Sequence, residues 1–404
     1  MPFNLKKIGP GLLFAGAAIG VSHLVQSTRA GADFGFGLVW ALLLVNLFKY
    51  PFFQYGPRYA LATGESLLDG YKKLGKGVLT AYYIITFATM FTIQAAVTIV
   101  TAGIANSLFG NFIPVEIWTV IILFICVLIL LKGQYNFLDK FMKFIVITLT
   151  ISTLIAVFLA FKNSNQNFSL IQVLPKNSIE ISFLIAFMGW MPAPLDISVW
   201  HSLWAIEKHK ENSDYNVKSS LFDFNIGFIA TIIIGLSFIA LGAFVMFESG
   251  ETFSSKAGEF SNQLIEMYTK NLGNWSYIII GIAAFTTMFS TTLTTLDASP
   301  RAMQQTTELL FKNKTKNSYL IWLLILTIGT ISIFFFLKSE MGFLIKIATI
   351  LSFLTAPFYA IINYRLLSSK HTPLQWRPSI AMHALSIVGI IFLIGFSIWF
   401  LSTL

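Results

Sequence analysis

Long unbroken apolar runs, rather than alternating or 3.6-residue patterns, dominate this chain. Eleven of them lie at about 10–33, 36–56, 78–108, 114–131, 137–161, 180–204, 221–247, 274–298, 318–337, 341–364 and 380–403. A hydrocarbon core about 30 Å thick takes roughly 20 residues of helix to cross. Backbone amides at that depth find no water, so each run is predicted to be a membrane-spanning helix. The polar residues between them form short connections, none long enough for a sizeable soluble domain.

Composition strengthens this picture. Of 404 residues, 56% are hydrophobic and 11% charged, against the roughly 25% charge of a soluble domain. Such a chain cannot cover a globular surface with polar groups, which excludes a soluble enzyme, a disordered regulator and a secreted disulfide scaffold. The net charge of +9 does not indicate nucleic acid, because the basic residues sit singly or in short runs between apolar stretches. The lone Cys126 leaves no intramolecular disulfide and no cysteine metal site. Lys6 and Lys7 precede a Gly-rich apolar segment with no small-residue cleavage site, so it is read as a first spanning helix rather than a removable signal. No nucleophile elbow, phosphate loop or HExxH pattern is present, and no enzymatic activity or cofactor is expected.

The distribution of Lys and Arg predicts orientation. With the N-terminus inside, alternate loops divide them 19 inside to 5 outside, and Arg29, Lys49 and Lys346 lie within spans. Eleven spans then put the C-terminus outside. The outer seventh connection carries Glu248, Glu251, Glu259 and Glu266.

Two spans are interrupted. In span 1, Gly20-Val21-Ser22-His23 places a flexible glycine beside two polar side chains at mid-membrane. In span 6, Gly189 is followed by Met191-Pro192-Ala193-Pro194, which cannot continue a regular helix because each proline lacks a donor and crowds the preceding turn. Breaks five spans apart fit two five-helix repeats inverted in the membrane, at about 8–162 and 180–368, with helix 11 at about 380–403, all in a single domain 1–404. Paired breaks at corresponding positions point to a secondary transporter's substrate site.

At these residues the sequence resembles the NRAMP family of divalent-metal transporters, part of the larger group with the LeuT-like fold. Gln26-Ser27-Thr28-Arg29-Ala30-Gly31-Ala32-Asp33-Phe34-Gly35-Phe36, followed by Leu38 and Trp40, is similar to the family's Gln-Ala-Gly-Ala-Glu-Tyr-Gly-Tyr stretch, and Met191-Pro192 stands where the family has Met-Pro-His-Asn. The resemblance implies an all-α polytopic protein with a LeuT-like 5+5 inverted repeat, broken helices 1 and 6 and an eleventh helix. It also implies a metal site at the breaks. The departures are specific. Gly20 and His23 stand for the Asp and Asn of the family's Asp-Pro-Gly-Asn, and Ala193-Pro194 for its His-Asn. Val78–Phe109 holds no Asp, Glu, Lys or Arg, so the family's proton route has no counterpart there.

The candidate substrate site therefore comprises Ser22, His23, Gln26, Met188 (through its carbonyl), Trp190, Met191 and Asp196. Within it, His23, Met191 and Asp196 are the candidate metal ligands. Imidazole and thioether suit a borderline metal. An intramembrane carboxylate is costly enough to be a functional candidate by default: it ligates a cation, carries a proton, or pairs with a base, for which Lys346 is the nearest candidate in sequence. The hydroxyls Thr286 to Thr295 of span 8 read as packing, or as a sodium site. Arg29 and Asp33 are spaced for a local pair. Asp223 and Asp297 are expected near the inner face, solvated or paired with Lys218 and Arg301, and His201, His209, His371 and His383 at the interfaces.

The expected function is transport of a divalent cation, Mn²⁺ or Mg²⁺, by alternating access. The alternative is a small organic solute coupled to Na⁺ or H⁺. The expected surroundings are lipid and the transported species, with no nucleic acid and no obligate protein partner, in the cell membrane (the inner membrane in a bacterium).

Overall fold

The computed structural model describes residues 9–110, 112–132, 135–163, 169–247, 249, 252–312, 317–337 and 340–403, without the side chains of 135–146, 149, 271 and 337. The orientation residues Lys6, Lys7, Glu248, Glu251, Lys314, Lys316 and Lys338 lie outside the described residues, as do the side chains of Lys140 and Lys143. The described chain is helical, and a helix or a broken helix lies at each of the eleven predicted runs.

Span 1 is α1 (Pro10–Ala18) followed, after a 47° bend, by a π-helical turn (Ser22–Ser27) and α2 (Thr28–Phe34). Proline at its first position suits α1, since the amide it lacks would have no partner there. Span 2 is α3 (Val39–Thr63), closed by Gly64 in the left-handed conformation at φ 73°. A short capped helix, α4 (Leu67–Leu74), leads into α5 (Lys76–Phe109), then α6 (Val115–Leu131) and α7 (Tyr135–Asn163). Span 6 is α8 (Ser178–Trp190), an irregular segment from Met191 to Asp196 containing both prolines, and α9 (Ile197–Glu211). The remaining elements are α10 (Val217–Val245), the amphipathic α11 (Ala257–Leu272), α12 (Ser276–Phe311), α13 (Ser318–Leu337), α14 (Met341–Ser368) and α15 (Ile380–Leu401).

Six of these helices are long and apolar enough to cross a membrane by themselves, and span 1 adds a seventh as a bent pair. The helix α3 is not among the six. Asn46, Lys49 and Gln54 dilute its apolarity, and all three point inward and are buried. Leu, Ile and Phe side chains such as Phe124, Phe158, Ile229, Ile282, Ile328 and Ile391 form the exposed outer face, as expected of lipid-facing helices.

The packing follows the inverted pattern of the breaks. The first half of span 1 (α1) touches the second half of span 6 (α9), and the π-helical turn of span 1 touches the first half of span 6 (α8). Around them α5 packs along α12, α3 along α9, α8 along α14, and α10 along α1 and α2. Glycines mark the closest approaches. A methyl at Gly189 would run into the Thr349 carbonyl of α14, one at Gly56 of α3 into the Ser198 carbonyl of α9, and one at Gly31 into the Ile239 carbonyl of α10.

Several expected polar placements are corrected. Asp223 is not solvated: it is fully buried, and its Oδ2 accepts from the amides of Gly9 (3.1 Å) and Gly11 (2.8 Å) and from the Tyr215 hydroxyl (3.0 Å). A carboxylate there satisfies amides that the start of α1 leaves without helical partners. His201 is not interfacial but fully buried, stacked on Phe14 at 5.7 Å. Lys346 is exposed and does not reach inward to Asp196. Arg29 donates to the Ser254 carbonyl (2.6 Å) and lies over the Phe260 ring, with Asp33 a neighbouring charge rather than its main contact. The expected Asp297–Arg301 pair is present at 2.7 Å, and the Tyr319 hydroxyl also donates to Asp297.

Candidate transport site

At the first break the chain supplies its own partners. The Ser22 hydroxyl lies 2.8 Å from the Ala18 carbonyl and 3.3 Å from that of Pro192, and the Gly20 amide donates to the Ala18 carbonyl at 2.9 Å. His23 Nε2 is 3.0 Å from the Thr231 carbonyl of α10, and Nδ1 is 2.7 Å from Ser22 Oγ and 3.0 Å from the Ala18 carbonyl. A carbonyl only accepts, so the single N–H of a neutral ring donates either to Thr231 through Nε2 or to Ala18 through Nδ1. Both ring nitrogens are thus engaged by protein. Gly20 permits the close approach of α12, because a methyl there would sit 3.0 Å from Thr291.

At the second break the partner comes from elsewhere. Lys49, in the middle of α3 and fully buried, directs its ammonium at four backbone carbonyls: Gly189 (2.7 Å), Met188 (2.8 Å), Met191 (3.2 Å) and Ala193 (3.4 Å). Two of these end α8, where the helix dipole favours a positive charge. The other two follow the break. Lys49 stands seven residues before Gly56, so the face of α3 that packs on α9 also delivers the ammonium.

Between the breaks lies a small, partly open cavity of about 20 Å³, room for about one water-sized species. It is lined by Ala18, Val21 and Ser22 of span 1, Trp190, Ala193, Pro194 and Ile197 of span 6, Ile93 and Val97 of α5, and Thr291 and Thr295 of α12. Of the seven sequence candidates, Ser22 and Trp190 face it, and the Trp190 indole N–H is engaged by Ser352 Oγ at 2.7 Å. Met191 and His23 are fully buried behind it, both beside Gly235 of α10. Asp196 opens on a neighbouring slit with Thr89, Ser352, Thr355 and Tyr359, and its Oδ1 is buried with no hydrogen-bond partner. The Met188 carbonyl is held by Lys49, and Gln26 is buried in the π-helical turn. Among the described residues no three His, Cys, Asp or Glu side chains converge as a metal site.

The hydroxyls of span 8 chiefly serve packing. Thr287 and Thr291 bond back to carbonyls four residues earlier, while Thr295, 3.0 Å from the Thr291 carbonyl, lies closer to Gln94 Oε1 (2.7 Å), and Thr292 meets Thr101 (2.7 Å). The cavity lies near the middles of α5 and α12, and larger polar recesses open toward the ends of these helices. One of about 450 Å³ holds Asn106, Glu116, Glu259 and Glu340; another of about 910 Å³ holds Glu65, Asp69, Arg301 and Lys312.

The sequence matches the family profile described as natural resistance-associated macrophage protein-like (Nramp) over residues 11–403. The chain belongs to this family. It is 36% identical over 406 residues to an uncharacterised protein of Pasteurella multocida, covering 98% of this chain and 92% of that one. A rice protein named metal transporter NRAT1 is 20% identical over 78% of this chain, which spans 59% of that longer protein. In structure the chain is similar to a manganese transporter of Eremococcus coleocola, with a TM-score of 0.74 at 14% identity over 99% of this chain and 88% of that one. It is also similar to MhsT in complex with L-phenylalanine, with a TM-score of 0.66 at 14% identity over 96% and 98% of the two chains. These likenesses establish the LeuT-like fold. The protein is a multi-pass helical member of a transporter family and not an enzyme. The Nramp resemblance read from spans 1 and 6 therefore holds for nearly the whole chain. Lys49 was missed as a site residue, although a lone lysine inside an apolar helix was itself the signal.

Proposed function

We propose that this Nramp member is a secondary transporter that carries a divalent metal cation, Mn²⁺ or Mg²⁺, past the two helix breaks by alternating access. The size of the central cavity carries this reading: it takes one ion- or water-sized species, whereas an organic solute needs a larger chamber. Membership of the family and the description of its rice relative as a metal transporter support it. The proposed ligands are His23, Met191 and Asp196, with Ser22, Gln26, Trp190 and the Met188 carbonyl shaping the site. Loading would turn His23 away from Thr231 and bring Met191, its neighbour at Gly235, toward the cavity. Asp196 supplies an acidic group beside it with an unpaired oxygen. The excess of inner-loop Lys and Arg supports an N-terminus inside the cell and a C-terminus outside, with repeats at about 8–162 and 180–368.

A second reading, a small organic solute coupled to Na⁺ or H⁺, is favoured by one observation: the ammonium of Lys49 already fills the carbonyl set of the second break. Uptake into proteoliposomes separates the two. Time-dependent accumulation of Mn²⁺ or Mg²⁺ by the wild type, abolished in a well-folded Asp196→Asn variant, is the expected result. Absence of any divalent uptake overturns the metal reading, and normal uptake by Asp196→Asn removes Asp196 from the mechanism.

A further inference from the structure

Proton-bearing lysines are rare at mid-membrane because the charge must find compensation inside the protein. The compensation of Lys49 is unusual in kind. Among the described residues no carboxylate meets the ammonium within ion-pair distance; instead it sits among four oxygens of the interrupted span 6, the nearest at 2.7 and 2.8 Å. Asp196, at the start of α9, is the opposite charge that acts on it from further away. A set of carbonyl dipoles gathered around one positive centre is how backbone holds a cation in a membrane site. Here the cation is tethered to α3. One of its oxygens, the Met188 carbonyl, is the backbone group that the reading above places in the site of the transported metal.

We propose that Lys49 is a built-in cation that occupies the carbonyl set of the second break and sets the cation selectivity of the central site. A metal ion takes the Met188 carbonyl only when the ammonium withdraws, and while it stays its charge repels a divalent ion entering the cavity. The backbone arrangement supports occupation by design. The close approaches at Gly56–Ser198 and Gly189–Thr349 fix α3 against α9 and α8 against α14, so that the break opens toward Lys49. The three ammonium protons find three carbonyls at 2.7–3.2 Å, with a fourth at 3.4 Å. Neutralising Lys49 should then raise divalent affinity, which loss of a merely structural contact would not do.

This inference rests on the metal reading, and titration calorimetry of the purified full-length protein with MnCl₂ and MgCl₂ tests the two separately. The variants are Lys49→Met, which removes charge and donors, Lys49→Gln, whose amide still donates two hydrogen bonds to the carbonyls, and Lys49→Arg, which keeps the charge. The expected result is divalent binding about 10-fold tighter or more in Lys49→Gln and Lys49→Met than in the wild type, with Lys49→Arg unchanged. Binding by the wild type with equal or weaker binding by folded neutral variants overturns the role of Lys49 and leaves the metal reading standing. Binding by the neutral variants alone supports Lys49 as the selectivity device and overturns metal transport by the wild type. No binding by any protein overturns both. Failure of both neutral variants to fold while Lys49→Arg folds reduces Lys49 to a structural cap and overturns the selectivity role.

Discussion

At the first break the groups freed by the interruption are taken up almost locally, by Ser22, His23 and the Gly20 amide acting on the Ala18 carbonyl, with the Thr231 carbonyl as the main outside partner. At the second they are taken up by a lysine 139 to 144 residues earlier in the chain, on another helix. One break is therefore a polar turn that a few neighbouring residues maintain. The other is an open row of carbonyls whose geometry depends on a single buried charge. A substrate site built between them has one side that is stable by itself and one that responds to whatever cation is present.

The largest expected effect is accordingly at the second break. Lys49→Met leaves the carbonyls of Met188, Gly189, Met191 and Ala193 in a dry interior without a donor. Removing the charged member of a buried polar cluster costs on the order of 3–5 kcal/mol. Thermal unfolding in detergent should show this as a clear fall in midpoint, with Lys49→Gln partly restoring it. An unchanged midpoint in Lys49→Met would mean that water already solvates the break, and the contrast between the two regions would vanish.

How far each region was legible in the sequence follows the same division. The eleven helical runs were legible because apolar length alone demands them, and the two breaks because Gly20 and Gly189 loosen a helix and Pro192 and Pro194 interrupt one. The local partners at the first break are one to five residues apart, within reach of a sequence reading. The partners of Lys49, Asp223 and His201 were not, since each pairs or packs with helices distant in the chain. Asp223 reaches the start of α1 from 212 residues away, and nothing in its neighbourhood announces that. Lys346 and Lys49 are both lysines within apolar runs, yet one is exposed and the other buried; only packing tells them apart.

A smaller loss is expected at His23. His23→Ala removes a ring bridging span 1 and α10 and its contacts to the Thr231 and Ala18 carbonyls, for about 2–3 kcal/mol of combined cavity and hydrogen-bond cost. The same variant sharpens the site assignment. Mn²⁺ affinity should fall if the imidazole joins the loaded site; an unchanged affinity with lowered stability makes His23 a brace for the first break only.

The smallest effect is expected at Ser22, and it is the most direct check on whether the first break is self-contained. In Ser22→Ala the Ala18 carbonyl keeps the Gly20 amide at 2.9 Å and the His23 ring at 3.0 Å. The hydroxyl's weaker contact to the Pro192 carbonyl, at 3.3 Å, is lost. Because Ser22 lines the 20 Å³ cavity, a single water can enter beside the new methyl and take the hydroxyl's place at His23 Nδ1. The stability cost should therefore stay near 1 kcal/mol, well below that of Lys49→Met. Transport should suffer more than stability, since the side chain lost faces the place where the ion passes. A destabilisation as large as that of Lys49→Met would show that the first break also hangs on one side chain, and the difference between the two halves of the site would be one of sequence distance alone.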